Sequence, residues 1–177
     1  MTFDKEKFNR LVHYVVWKAG SHPGFGATKL NKVLWFAEGR VFTLTGKPIA
    51  GATYVREKFG PVPRQIMQAR TELVAEGAIK ITKNERQYEN TQFMALYKPD
   101  VSMFSGVEMQ AIDYWTDYID KQHTATSISE RSHDYVWQIA KMGEELPLYV
   151  YRVNRIPEPT DEDVERLKRR AKELGLG

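Results

Sequence analysis

The segment 27–44 constrains the fold of this chain more than any other, because its predicted helix is apolar on more than one side. One stripe of apolar residues recurs at intervals of three or four, the spacing of a single helix face; its members are Leu30, Val33, Leu34, Ala37, Val41 and Leu44. Trp35 and Phe36 widen the apolar surface beyond this stripe. We therefore expect a helix that is buried on more than one side.

Four further helices are predicted at 4–19, 64–76, 105–122 and 127–143, where apolar residues again recur at helical spacing. Ser105 and Glu108 fit a capping box, in which two side chains satisfy free amides at a helix start. Ser127 and Glu130 fit a second box at the start of the 127–143 helix. Gly77 follows the 64–76 helix, where a left-handed backbone is often needed.

The remaining regular structure is predicted to be a small amount of β. Residues 52–56 are rich in β-branched and aromatic types and are typical of a short strand, which the Gly-Pro-Val-Pro run at 60–63 is expected to break. Residues 78–82 and 91–97 predict a hairpin whose tip spans 83–90. The predicted class is therefore α+β and mainly α-helical, a compact helical domain with a small β-hairpin or sheet element and a C-terminal helix.

The C-terminal part of the chain is expected to be an appendage. The proline-rich run 155–159 resembles a linker, and Thr160 is placed to cap a last helix over 161–174. The apolar stripe of that helix is short and predicts only weak docking; it comprises Val164, Leu167, Ala171 and Leu174. We expect a domain at 1–155 and a linker with a charged helix at 156–177.

Composition excludes several classes of protein. The chain has 177 residues and no cysteine, so disulfides, thiol catalysis and cysteine-ligated metal sites are not available to it. It has no run of 18 apolar residues and no apolar N-terminal leader, so neither a membrane span nor a signal peptide is predicted. A cytoplasmic protein is the natural expectation.

The charge is small in total but unevenly distributed. The net charge is +3 and the isoelectric point is about 9.0. Residues 1–60 hold ten basic and four acidic residues, whereas residues 101–159 hold five basic and nine acidic ones. These two regions either attract each other within one fold or serve a charged partner.

The sequence offers no enzymatic site. The four histidines have no metal-ligand spacing, and no phosphate-binding loop or nucleophile elbow is present. Asp113, Asp117 and Asp120 share one helix face, which we expect to be solvated rather than to hold a cation. We predict a protein that is not an enzyme and that needs no cofactor.

A DNA-binding function is the alternative, because a helix followed by a hairpin at 64–97 is typical of winged-helix domains. Base edges would be read by Arg64, Gln65, Gln68 and Arg70, and phosphates would be bound by Lys80, Lys83 and Arg86. The acidic residues of the same region cancel most of this charge, which counts against strong binding; they are Glu72, Glu76, Glu85 and Glu89. A helix–hairpin packing unit without DNA fits the same spacing.

Four stretches share their order and composition with a known family. They are Lys-Leu-Asn-Lys-Val-Leu-Trp-Phe-Ala-Glu at 29–38, Thr-Gly-Lys-Pro-Ile-Ala-Gly-Ala-Thr-Tyr-Val at 45–55, Phe-Gly-Pro-Val-Pro at 59–63 and Ser-Glu-Arg-Ser-His-Asp-Tyr-Val-Trp at 129–137. Together they resemble the Panacea-domain family of SocA-like antitoxins over roughly residues 5–150. Trp35 stands where tyrosine is more usual.

The resemblance implies a bacterial or prophage antitoxin that neutralises a protein toxin encoded by the adjacent gene. Neutralisation in the family is generally by direct binding, and an adaptor role that delivers the toxin to a ClpXP-type protease is also implied. Operator DNA is a further possible partner, since antitoxins often repress their own operon. No enzymatic activity and no membrane partner are implied.

The motif residues are expected to build the scaffold; they are Lys29, Leu30, Asn31, Tyr54, Gly60, Pro61, Ser132 and His133. Asn31 and His133 are expected to be buried polar anchors. Toxin specificity is expected in segments outside the shared pattern, at 20–26, 83–90 and 160–177. The candidate toxin-binding residues are Lys83, Arg86, Tyr88, Arg166, Arg169 and Arg170.

Overall fold

The computed structural model describes residues 2–84, 90–153 and 169. It is mainly helical, with two small antiparallel sheets of two strands each, which confirms the predicted class. In chain order the elements are α1 (Lys5–Ala19), α2 (Ala27–Thr45), β1 (Tyr54–Glu57), β2 (Gly60–Pro63), α3 (Ile66–Ala75), β3 (Ile79–Asn84), β4 (Asn90–Ala95), α4 (Gly106–Gln122), α5 (Ala125–Arg131), α6 (Tyr135–Ile139) and α7 (Val150–Val153).

The helix α2 lies at the centre of the fold, as its two-sided apolar pattern predicts. It contacts α1, α4, α5, α7 and β2. Almost all of its side chains from Lys29 to Phe42 are buried. A helix that is buried around most of its circumference packs against several neighbours. The side chains that each neighbouring element packs against α2 therefore determine the position of that element.

The helix ends follow the sequence signals closely. Asp4 caps α1 by accepting a hydrogen bond from the Lys7 amide at 2.9 Å. The Ser105–Glu108 capping box of α4 is formed as predicted. Gly77 has a φ of +68°, the left-handed conformation expected after α3. These local signals are satisfied because each uses groups within one turn of the chain.

The segment 60–63 is a strand, so the prediction that it only breaks the preceding strand is wrong. In the β1–β2 register Tyr54 faces Pro63 and Glu57 faces Gly60. The Arg64 amide donates to the Thr53 carbonyl at 2.9 Å. Because hydrogen-bonded positions alternate along an antiparallel strand, Pro61 and Pro63 occupy the positions at which a backbone N–H would point away from β1. The prolines therefore cost this sheet no ladder hydrogen bond.

The predicted helix over 127–143 is also wrong, because it is divided into α5 and α6. The capping box of α5 is formed by Thr124 and Ser127, not by Ser127 and Glu130. Asp134 then caps α6 by accepting from the Trp137 amide at 2.8 Å. The N-cap of α5 is Thr124, three residues earlier than predicted, so Ser127 lies in the first turn of this helix. The C-cap of this helix is Ser132, and Asp134 caps the start of the next one.

The predicted hairpin is present as β3 and β4, which pair from Ile79↔Ala95 to Asn84↔Asn90. The middle of its predicted tip lies outside the described residues. So do the predicted linker and the C-terminal helix, apart from Arg169. The predicted division at residue 155 is therefore not tested by the described part of the chain.

Ion pairs join the basic first third of the chain to the acidic later stretch. Lys7 pairs with Glu108 at 2.7 Å, and Lys18 pairs with Asp113 at 2.6 Å and with Asp117 at 3.2 Å. All three contacts connect α1 to α4. The uneven charge distribution therefore serves cohesion between these helices. On the predicted acidic face, Asp113 and Asp117 remain 41% and 47% exposed while they pair with Lys18, and Asp120 is largely shielded at 12%.

Candidate functional site

Three of the four family-like stretches meet where α2 passes the β1–β2 turn and α5. Lys32 of α2 is buried, and its Nζ donates to the Pro61 carbonyl oxygen at 3.0 Å. Lys29, one turn earlier, is also buried and donates from Nζ to the carbonyl of Asp120 at 3.1 Å, at the end of α4. The two lysines thus tie α2 to two different elements through backbone carbonyls.

Lys32 has a strongly perturbed environment. Burial lowers the pKa of its ammonium to about 7, because the side chain is almost completely removed from water and faces a neutral carbonyl. Our sequence reasoning did not single out Lys32. Its position inside an otherwise apolar helix face was the available signal.

Gly60 is required by two independent features of this cluster. Its φ of +98° lies in the left-handed region, which side chains rarely adopt. A Cβ at this position would also overlap the Ser132 Oγ and the Lys32 Nζ. The close approach of the β1–β2 turn to α2 and α5 therefore depends on this glycine.

Of two serines in this part of the chain, one attaches α5 to the same turn and the other bonds locally. The Ser129 Oγ donates to the Phe59 carbonyl at 3.0 Å. The Ser132 Oγ is buried and donates to the Ser129 carbonyl at 2.6 Å, within α5 itself. Ser132 therefore satisfies its hydroxyl locally, and Ser129 makes the connection between elements.

His133 is half-buried, so the prediction of a buried polar anchor is wrong. Its ring stacks on Trp137 with the centroids 3.6 Å apart and the planes 6° from parallel. Burial, and then the charge of Lys32, lower the pKa of the imidazole. Trp137 donates from Nε1 to the Glu57 carbonyl at 3.2 Å, and the Arg56 guanidinium lies 4.4 Å from the Trp137 ring. The histidine therefore supports an aromatic stack that covers the end of β1.

The other motif residues pack against the core around α2. Leu30 is fully buried and Tyr54 is buried, with the Tyr54 ring centroid 4.9 Å from that of Trp35. Asn31 is half-buried rather than buried, and its Oδ1 is shielded from solvent without a hydrogen-bond partner in the described residues. No anchoring hydrogen bond of this oxygen is present among the described residues, and the anchoring role of Asn31 stays a prediction.

Glu38 is a buried carboxylate that the sequence reasoning also missed. It accepts hydrogen bonds from the amides of Ile49 at 2.6 Å and Ala50 at 3.1 Å, and so holds the turn that follows α2. Burial raises the pKa of this carboxyl to about 7, although the amide hydrogen bonds oppose the rise. The signal was a glutamate on a predicted buried helix, followed by a glycine- and proline-containing turn.

This motif cluster has the chemistry of a scaffold. Its lysine, serine and glutamate side chains are bonded to backbone groups, which leaves them little capacity for a ligand. Among residues 2–84 and 90–153, no group of three or more histidine, aspartate or glutamate side chains is arranged to hold a metal ion. Within the same ranges, no helix is long and apolar enough to cross a membrane.

The candidate toxin-binding residues lie mostly beyond what the structure describes. Arg86, Tyr88, Arg166 and Arg170 are outside the described residues. Lys83 lies in β3, next to its last residue, and Arg169 is exposed. The structure therefore does not bring these residues together, and their role is untested by it.

The side chains that a winged-helix function would require on α3 and just before it are held by neighbours. Arg64 pairs with Glu145 at 2.9 Å, the Gln68 amide donates to Glu72 at 2.9 Å, and the Arg70 guanidinium lies 5.0 Å from the Phe93 ring centroid. Glu72 also pairs with Lys5 at 2.7 Å. A surface for reading base edges would have to release these contacts.

A groove lies on the protein surface between α2 and α4 and is here called the α2–α4 groove. Its volume is about 600 Å³, and it is lined by Arg40, Leu44, Val107, Gln110, Ala111, Tyr114 and Trp115. Trp115 forms its inner wall by stacking on Phe36 at 4.6 Å. The sequence analysis did not single out this groove.

The comparisons with known proteins agree with the motif cluster. The comparison with protein families matches residues 30–138 to the family described as antitoxin SocA-like, Panacea domain. The comparisons with curated proteins and with solved structures gave no match. The matched range spans the motif cluster from Leu30 to Trp137 and more than half of the chain. The chain therefore belongs to the Panacea-domain family of SocA-like antitoxins.

Proposed function

We propose that this protein is the antitoxin of a bacterial or prophage toxin–antitoxin system and neutralises a protein toxin by binding it directly in the cytoplasm. The family match over residues 30–138 carries this proposal. The motif cluster supports it, because polar groups that are bonded to the backbone suit a binding scaffold better than an active site. The proposed binding unit is the domain at 1–155, with 156–177 as its appendage.

The toxin is proposed to be the product of the adjacent gene. Co-expression supplies the first test: the neighbouring gene should arrest growth when expressed alone and be harmless when expressed with this chain. The two purified proteins should then form a complex that elutes as one peak from a gel-filtration column. Arrest that persists on co-expression would contradict the antitoxin function, and rescue without a complex would contradict direct binding.

Specificity for that toxin is proposed to involve the segments 83–90 and 160–177. They lie outside the shared motif stretches, and they contain the candidate residues Lys83, Arg86, Tyr88, Arg166, Arg169 and Arg170. Replacing both segments with neutral sequence should abolish neutralisation while the far-ultraviolet circular dichroism spectrum stays unchanged. Full neutralisation by this variant would show that specificity lies elsewhere.

Delivery of the toxin to a ClpXP-type protease is the finer alternative within this function. It predicts that the toxin disappears on co-expression in a cell with the protease and persists in a cell without it. Direct inhibition predicts rescue from arrest in both cells, with the toxin still present. Measuring toxin abundance and growth in the two strains separates the two mechanisms.

Binding to operator DNA is a second candidate, favoured by the succession of α3, β3 and β4. It predicts binding to the promoter of its own operon with a steep dependence on salt, because released counterions drive such binding. The intramolecular contacts of Arg64, Gln68 and Arg70 weigh against this function. Absence of a shift of the promoter fragment at low salt would remove it.

A further inference from the structure

The outer side of α4 carries an aromatic ladder that the described fold covers only in part. Tyr114 is 59% exposed, and its ring stacks on that of Tyr118 at 5.7 Å with the planes 6° from parallel. Trp115 contacts both rings edge to face and continues the ladder into the α2–α4 groove. Leu44 and Val107, 54% and 41% exposed, extend the apolar surface at the other end. Tyrosine and tryptophan are the residues most enriched at the energetic centres of protein interfaces.

The length of the groove and the arrangement of its two helices suit the binding of one further helix. Lys29 at the start of α2 contacts Asp120 at the end of α4, whereas Leu44 at the end of α2 lines the groove beside Val107 at the start of α4, so the two helices run antiparallel. From Val107 to Tyr118 the surface extends about 16 Å along α4 at 1.5 Å per residue. That length matches about three turns of a third helix laid between α2 and α4.

Two arginines at the groove favour a partner that carries negative charge. Arg40 lines the groove, and Arg131 lies with its guanidinium 5.8 Å from the Tyr118 ring. Neither arginine forms an ion pair with any described residue. Three acidic residues of α4 pair with lysines of α1 instead: Glu108 with Lys7, and Asp113 and Asp117 with Lys18. A carboxylate on the partner complements Arg40 and Arg131, because a carboxylate and a guanidinium form charge-assisted hydrogen bonds.

From these features we infer that the α2–α4 groove is the docking site for the toxin and receives an amphipathic helix that bears an acidic side chain. The apolar face of that helix packs on Leu44, Val107 and the Tyr114–Trp115 pair, and its carboxylate pairs with Arg40. This inference rests on the proposed function. In this arrangement the groove supplies affinity, and the segments 83–90 and 160–177 discriminate between toxins.

The test measures the affinity of the full-length protein for the purified product of the adjacent gene by isothermal titration calorimetry. Tyr114→Ala and Arg40→Glu are expected to raise Kd by roughly 30-fold or more, the effect of losing an interface hot spot. Tyr135→Ala and Lys141→Glu are the matched controls, since both residues are exposed and neither lines the groove. The controls should leave Kd within about threefold of the wild type.

The outcomes separate this inference from the function on which it rests. Absence of binding by the wild type would refute direct neutralisation and the docking site together. Wild-type binding with groove variants that match the controls would overturn the docking site alone. Arg40→Glu alters an exposed side chain, so it remains informative if Tyr114→Ala fails to fold.

A photo-crosslinking residue at Gln110 identifies the occupant of the groove. Cross-links to a helical, acidic peptide of the added protein support the inference. Cross-links to the segment 154–177 of the same chain, or to a second copy of this protein, would overturn it. The same probe at Tyr135 controls for collisional cross-linking.

Discussion

At the scale of single residues, the closest packing in the motif cluster is around Gly60. The left-handed backbone there and the absence of space for a Cβ are separate constraints. Their costs can be separated because Gly143 has a similar φ of +77° with no atom within 4 Å of its would-be Cβ. One glycine thus carries both constraints and the other carries only the first.

Gly60→Ala should therefore destabilise the protein more than Gly143→Ala does. The left-handed conformation costs about 1–2 kcal/mol for a side chain at either site. At Gly60 the overlap with Ser132 and Lys32 should add about 1–3 kcal/mol to the loss of unfolding free energy. Urea denaturation of the two variants measures the difference. Equal losses of unfolding free energy would show that Ser132 and Lys32 move aside to accommodate the added methyl group.

Lys32 should make the stability depend on pH in a specific direction. Its pKa is about 7 in the folded protein and near 10.5 in the unfolded chain, so between these values the unfolded chain binds more protons. The free energy of unfolding should consequently rise with pH over this range, by something on the order of 1–2 kcal/mol between pH 7.5 and 9.5. Lys32→Met should remove this rise.

Lys47→Met, at an exposed lysine, is the control for loss of a positive charge. Urea denaturation at several pH values gives the slopes of all three proteins. The rise should persist in the control and be absent from Lys32→Met. A slope in Lys32→Met equal to that of the wild type would mean that Lys32 keeps its ordinary pKa in the fold.

At the scale of elements, the local signals in the sequence were sufficient where one turn of chain contains all the partners. The Ser105–Glu108 box and Gly77 are such cases. β2 was not predictable in this way, because a proline-rich strand is tolerated only through its register with β1. The burial of Lys32 and Glu38 likewise depends on which elements pack against α2, which the helix pattern alone does not specify.

The corrected start of α5 gives a prediction at this scale. Thr124→Ala should lower the free energy of unfolding by about 1 kcal/mol, because the Ser127 amide loses its capping acceptor at 3.1 Å. Glu130→Ala should change it by less than about 0.5 kcal/mol, because Glu130 is exposed and lies outside the observed box. Urea denaturation of both variants distinguishes the two capping boxes. If the box predicted from the sequence were the one formed, Glu130→Ala would lower the free energy of unfolding more than Thr124→Ala.

At the scale of the whole molecule, the uneven charge of the chain has a structural explanation. The ion pairs of Lys7 with Glu108 and of Lys18 with Asp113 attach α1 to α4. The isoelectric point near 9.0 is therefore a weak indication of DNA binding, because much of the charge is paired within the fold. Among the described residues, Arg40 and Arg131 beside the α2–α4 groove form no ion pair, and their positive charge is the feature that a partner would meet.

The proposed domain boundary at residue 155 can be tested by the thermal stability of a truncated protein. All described members of the hydrophobic core lie between Phe3 and Tyr151. A protein that ends at residue 155 should consequently unfold cooperatively, with a Tm within about 4 °C of the full chain, the shift that 1 kcal/mol causes at this size.

The same truncation should weaken neutralisation, because it removes the proposed specificity segment at 160–177.

A matched truncation at residue 145 tests whether the domain needs residues 146–153, which include α7. It removes Leu146, Leu148 and Val150, which are buried, and also Tyr151, whose ring packs 5.0 Å from Trp35. Loss of three buried aliphatic side chains and one aromatic ring exceeds the usual stability of a domain, so this protein should not fold. A large drop in Tm for the chain that ends at 155 would instead place part of 156–177 within the domain.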